Sequence, residues 1–225
     1  MTINLPKAFN ILHPTAFNIN YDIVWSFTYV IQSSAYDSGF PASCGFTTFL
    51  IDSDTPTLTG GGIGEGLGYG PSTNYTGFSN ISGVSGAMIA VGFDNLGVFG
   101  LSGQCYNTGY TTLTSNTITF RSNYNYLSTF SCGFNLISSA NTLRFNLTDA
   151  GQSIEVYRLI NNHFYQIAKC DTFFNVTSTK KCKIGISFAS PTSSNAVSAA
   201  FMFKDFHVHG NPNTPDFIVA PYVAI

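Results

Sequence analysis

A chain of 225 residues with 44% hydrophobic and 15% aromatic residues has ample material for a core, which excludes a disordered tail and fits one all-β domain. Only 9% of residues are charged, the net charge is -2 and no run of Lys or Arg occurs, so the electrostatic footprint of nucleic-acid binding is missing. No apolar run reaches the roughly 18 to 20 residues that span a bilayer, and the start lacks a secretory signal pattern; five cysteines without a CxxC (Cys44, Cys105, Cys132, Cys170, Cys182) indicate neither a disulfide scaffold nor a zinc ribbon, and read as buried free thiols.

Residues 1–18 show no clean alternation and read as an N-terminal arm that docks on a neighbouring subunit or over the sandwich edge. From there to residue 210, short period-two segments bounded by Gly, Asn, Ser or Pro recur, the pattern of a sandwich or barrel. "YDIVWSFTYVIQ" (21–32) and "CGFTTFLID" (44–52) are the first two long strands. The stretch "GGGIGEGLGYG" (60–70) follows, with glycine at every other position or denser. It fits neither the dinucleotide spacing G-x-G-x-x-G nor a Walker loop, which needs G-K-[ST]. With strands of one character on both sides it is no linker between domains, which leaves a tight loop that approaches something closely.

"GAMIAVGFD" (86–94) is apolar on both faces, Ile89, Val91 and Phe93 alternating with Met88, Ala90 and Gly92, as in a strand covered on both sides. "NTITFRS" (116–122) is another strand. In "NTLRFNLTDAG" (141–151), Leu143, Phe145 and Leu147 point one way, Arg144, Asn146 and Thr148 the other, and Asp149 to Gly151 turn the chain. "QSIEVYRLI" leads through the tight "NNH" connection into "FYQIAKC". "CKIGISFAS" (182–190) and "AAFMFKDFHVHG" (199–210) bring the strand candidates to about ten. The tail 211–225 carries three prolines and reads as a C-terminal arm. Four N-x-[ST] sequons, at Asn74, Asn80, Asn146 and Asn175, are what chance yields in a chain this rich in Asn, Ser and Thr.

Three segments together resemble the L-type (legume-type) lectins, in the family's order and spacing. "SCGFTTFLID" stands for its "A-D-G-[apolar]-x-F-F-[apolar]" strand, "GGGIGEGLGYG" for its loop "G-G-x-L-G-L-F", and "MIAVGFDNLG" for its strand "V-A-V-E-F-D-T". The resemblance covers most of residues 20–210. It implies an all-β fold, a concanavalin A-like antiparallel β-sandwich of jelly-roll type with ligand loops on its concave side. The family's sugar-binding aspartate falls on Cys44, which cannot accept the hydrogen bonds of a carboxylate. Its glycine, whose backbone N–H meets a sugar oxygen, falls near Gly61 or Gly62. Carbohydrate contact is therefore expected at Gly61 and Gly62, with Tyr69 as a stacking face and Asp94 or Asn95 as acceptors. The family's calcium and manganese are held by the Glu and Asp of "E-F-D"; Gly92 and Asp94 stand there, so no metal and no other cofactor is expected.

Other chemistries find weaker footing. A glycosidase needs two carboxylates flanking the bond, and the glutamates, Glu65 and Glu155, share no strand motif. Asp205, His207 and His209 alternate on one strand but have no further ligand nearby in sequence. No G-x-S-x-G elbow occurs. The "A-V-G-F-D" strand and the closing "K-D-F-H-V-H-G" look like lectin-like modules in virion proteins of tailed bacteriophages and large aquatic viruses. The resemblance implies a non-enzymatic virion surface protein, a capsid decoration or fibre component, homo-oligomeric or part of a larger assembly. Its partners would be host-surface glycans, and other virion proteins or copies of itself reached through the arms. A calcium-dependent lectin is the alternative, and a polysaccharide hydrolase comes after it.

Overall fold

The computed structural model describes residues 8–33, 45–57, 59–62, 66–71, 81–95, 97–100, 114–137, 139–172, 181–189, 199–210, 217–219 and 223–224. Their strands are β1 (Ala8–Leu12), β2 (Phe17–Asn18), β3 (Ile23–Ser33), β4 (Gly45–Asp52), β5 (Ala87–Asp94), β6 (Thr117–Ser122) and β7 (Asn125–Ser131), then β8 (Asn141–Thr148), β9 (Ser153–Ile160), β10 (His163–Asp171), β11 (Lys181–Ala189), β12 (Ala199–Gly210), β13 (Phe217–Val219) and β14 (Val223–Ala224). They form two antiparallel sheets. The front sheet runs β1-β11-β4-β5-β6-β7, with β2 also on β11; the back sheet runs β10-β9-β8-β3-β12-β13, with β14 also on β12.

The inner faces meet in an aromatic core, as period-two alternation requires. Phe46 of β4 stacks on Phe93 of β5, centroids 4.7 Å apart, and lies 4.6 Å from the ring of Tyr29 in the back sheet. Phe27, Phe145 and Phe203 continue the cluster. A polar tie crosses it: the indole Nε1 of Trp25 donates to Thr48 Oγ1 at 2.9 Å, and Thr48 donates on to the Gly185 carbonyl. The buried indole N–H is thus satisfied without water. Cys132, Cys170 and Cys182 are buried free thiols, and burial pushes their pKa values up, that of Cys182 to about 12, so they are held un-ionised. Cys44 and Cys105 lie outside the described residues.

The turns carry their own chemistry. Asn161 and Asn162, both at positive φ, close β9 onto β10 as a two-residue hairpin, matching the expected "NNH" connection. A second such hairpin joins β6 to β7 through Asn123 and Tyr124, φ 43° and 70°. A tyrosine there is strained. It is held because its hydroxyl donates to the Val84 carbonyl and its own carbonyl accepts from Arg121.

The described parts of both terminal segments pair within the chain's own sheets. Within 1–18, β1 and β2 pair with β11; within 211–225, β13 and β14 pair with β12. These four strands lie along edges of the chain's own sheets, where unpaired backbone groups would otherwise face water. Among the described residues no helix is long and apolar enough to cross a membrane.

Candidate functional site

The outer face of the front sheet is where the glycine loop lies. Alternation sends Thr47, Phe49 and Ile51 of β4, Ala90, Gly92 and Asp94 of β5, Thr119 and Arg121 of β6, and Gly185 and Ser187 of β11 to this side, all but entirely buried. A second apolar cluster forms here: Phe49, Ile51, Leu67, Tyr69, Val84, Ala90 and Phe99. As expected, β5 is covered on both sides. Met88 differs from expectation, since a register shift between Leu50 and Ile51 turns it into the main core beside Ile89.

The loop is stitched to itself and to the sheet. Gly61 N–H donates to the Gly68 carbonyl at 3.0 Å, Gly62 N–H to Gly70 at 2.6 Å, and Gly68 N–H back to Gly62 at 2.7 Å. Ser187 Oγ holds the Leu67 carbonyl at 2.7 Å. Glycine is obligatory at Gly61, where a Cβ would lie 2.4 Å from the Gly68 oxygen, and is favoured at Gly68, where φ is +74°. Against the expectation from the resemblance, the Gly61 and Gly62 N–H groups are therefore spent inside the loop. A sugar oxygen could take them only by breaking those bonds.

Tyr69 also departs from expectation. Its ring is 0% exposed, enclosed by Phe49, Phe99 and Tyr124 with centroids 5.6, 6.5 and 5.5 Å away. Burial raises its hydroxyl pKa far above the ordinary value. It offers no stacking face. Asp94 is 0% exposed, and its Oδ2 accepts the Phe99 N–H at 2.7 Å, capping the short 3-10 turn Val98–Gly100. Asn95 is buried, its carbonyl accepting the Asn116 N–H at 3.0 Å. The five expected contact residues are thus interior, and the structure uses them to close this face.

The metal pair that the resemblance implies does not fit either. A Cβ on Gly92 would come within 2.3 Å of the Phe99 ring, so that ring fills the space a glutamate side chain would need. Beside it lies Arg121, completely buried. Its Nε and Nη2 donate to the Phe99 carbonyl at 2.9 and 2.7 Å, and its Nη1 to Tyr124 at 2.9 Å. The guanidinium carbon is 5.5 Å from the Phe99 ring centre and 5.9 Å from that of Tyr126. The Phe99 peptide thus joins an anion to a cation, N–H to Asp94 and C=O to Arg121. A hard divalent ion wants several oxygen ligands. A fixed guanidinium and a phenyl ring provide the reverse environment. Sequence reasoning missed Arg121 and Phe99; the one signal was a lone arginine in an otherwise apolar and Thr-rich strand.

The remaining candidates do not assemble. Asp205 sits in a β12 bulge at φ 57°, 3.7 Å from Lys204, and the described residues contain no group of three metal-ligating side chains. Glu155 accepts from Tyr157 at 2.6 Å and from Lys169 at 3.2 Å. The Tyr157 hydroxyl, with Lys169 and Asn146, holds its carboxyl below the usual range, opposite to a general acid. Cys44 and Glu65 lie outside the described residues.

No protein-family model matches the chain, and no curated protein matches it in sequence. Solved structures do. Peanut lectin, solved with the 9mer peptide PVIWSSATG, covers 88% of this chain with 80% of its own, at TM-score 0.56 and 15% identity. The fold is the concanavalin A-like sandwich. The seed lectin isoform of Lotus tetragonolobus matches 89% of this chain and 83% of its own at TM-score 0.55 and 16% identity. Lectin I from Ulex europaeus, in complex with the methyl glycoside of α-L-fucose, matches 90% and 82% at TM-score 0.56 and 14% identity. Similarity at this level speaks for architecture.

Proposed function

We propose that this chain is a non-catalytic, metal-independent recognition and packing module on the surface of a virion, a capsid decoration or fibre component whose sandwich contacts host-surface glycans. The observation that carries the metal-independent part is the Gly92, Phe99 and Arg121 arrangement, in which a ring and an internal cation stand where the resemblance puts a metal ligand. Glycan recognition is supported by the fold shared with lectins, one of them in complex with a fucoside. A particle setting is supported by a chain with only 9% charged residues and by the likeness of its "K-D-F-H-V-H-G" strand to virion modules. Non-catalysis is supported by the engagement of Glu155 and by thiols held un-ionised.

A bound ion that favours the native state must raise its melting temperature. EDTA is therefore expected to leave the melting temperature and the glycan-array profile unchanged. A fall of several degrees that calcium reverses would overturn the metal-independent reading and favour a calcium-dependent lectin. Turnover of any polysaccharide by the purified chain would overturn the non-catalytic one. Absence of the chain from purified particles of its source, probed by mass spectrometry, would end the virion assignment.

A further inference from the structure

The outer face of the back sheet contrasts with the sealed front. On β8, Arg144 and Asn146 share this face, as alternation requires, and each buries a polar atom that lacks a partner: Nε of Arg144 and Oδ1 of Asn146. The guanidinium carbon of Arg144 lies 4.6 Å from the Tyr157 ring centre and 4.3 Å from that of Phe164. Two rings thus clamp it. Tyr157 is itself fixed, because its hydroxyl donates to Glu155, which Lys169 also holds. Lys169 and Lys204 have carboxylate partners, Glu155 and Asp205. Among the described residues of this face Arg144 is the cation without one.

We infer that this face binds an acidic saccharide, the carboxylate or sulfate of the sugar on Arg144 and a neighbouring hydroxyl on Asn146 Oδ1. Arg144 offers a planar fork of donors already immobilised by stacking, so little side-chain entropy is lost when an oxyanion docks. Asn146 supplies the complementary acceptor two residues along the strand, roughly 7 Å away. An anion and a hydroxyl at that separation on a flat frame describe an acidic sugar. A neutral sugar leaves the guanidinium unmatched, and a simple anion leaves the amide oxygen unmatched. The inference rests on the glycan reading above and names its ligand class and its place.

The test is calorimetric titration of the full chain with two matched pairs: oligogalacturonate against its methyl ester, and sulfated against unsulfated dextran oligosaccharide. At least one acidic member is expected to bind at least tenfold more tightly than its neutral partner, and the pair that responds tells carboxylate from sulfate. Arg144→Gln should weaken that binding about tenfold or more, since a charge-assisted hydrogen bond is lost. Arg144→Lys, which keeps the charge but not the fork, should recover part of it, and Asn146→Ala should cost several-fold. Circular dichroism melts of each variant confirm the fold. Equal affinity for acidic and neutral members, or an unchanged Kd in folded Arg144→Gln, overturns this inference alone. Binding of none of the four overturns the glycan reading with it. An oligoglutamate peptide that binds as tightly as the sugars, with the same Arg144 dependence, overturns the saccharide assignment in favour of an acidic protein partner.

Discussion

The two sheets bury their inner faces alike but treat their outer faces in opposite ways. The front sheet's outer face is sealed: glycines at 92 and 185 admit the rings of Phe99 and Phe49, and the glycine loop closes over them. The back sheet's outer face keeps polar and charged side chains half-exposed, with β8 alternating strictly between buried and half-buried positions. A shared fold therefore does not imply a shared binding face. Where the resemblance puts ligands, this chain has built a second core. Where a sandwich often shows only a solvated surface, it holds a clamped arginine.

Substitutions can break the sealed face, and the largest effect is expected from Gly92→Glu. The new side chain meets the Phe99 ring and carries a charge into a buried site, so urea unfolding should show a loss of more than about 3 kcal/mol, with no calcium-dependent recovery. Arg121→Met removes the donors to the Phe99 and Tyr124 carbonyls and should cost about 3 kcal/mol in the same assay. Ser187→Ala leaves the Leu67 carbonyl with the weaker Thr47 contact at 3.5 Å and should cost about 1 kcal/mol.

The open face should respond more weakly in stability. The Glu155 carboxyl titrates below its ordinary value, so its contribution is present above the unfolded pKa of about 4.3 and is lost as pH falls through the lower folded value. Glu155→Gln should therefore lower the melting temperature slightly above about pH 5, where that contribution is present, and its curve should converge on the parent's as pH falls to about 2. An effect as large at about pH 2 as at pH 7 would show that Glu155 acts through packing.

How much of this was legible follows the same division. The alternation in residues 141–148 put Arg144, Asn146 and Thr148 on one face, and the two-sided apolar pattern of 86–94 announced a covered strand; both are local properties of the chain. The glycine stretch marked a close approach but not its object, which is the loop's own backbone and Ser187, some 120 residues away. Strand β7 was missed because its turn places Asn123 and Tyr124 at positive φ, held by contacts with Val84 and Arg121 that lie outside the turn itself. The terminal strands are short and lack alternation, so only their pairing reveals them. Tyr69 reads as an exposed aromatic in a glycine loop. Its burial depends on Phe49, Phe99 and Tyr124, from three distant segments.

The central claim, that the loop-covered face is closed by its own backbone and an internal cation, is tested most directly by residue-resolved amide hydrogen exchange in EDTA and in calcium. The amides of Gly61, Gly62, Gly68 and Phe99 each donate to a defined acceptor. They are expected to be strongly protected in EDTA and unchanged when calcium is added. Exchange of these amides at open-loop rates, with protection appearing only on addition of calcium, would contradict the account.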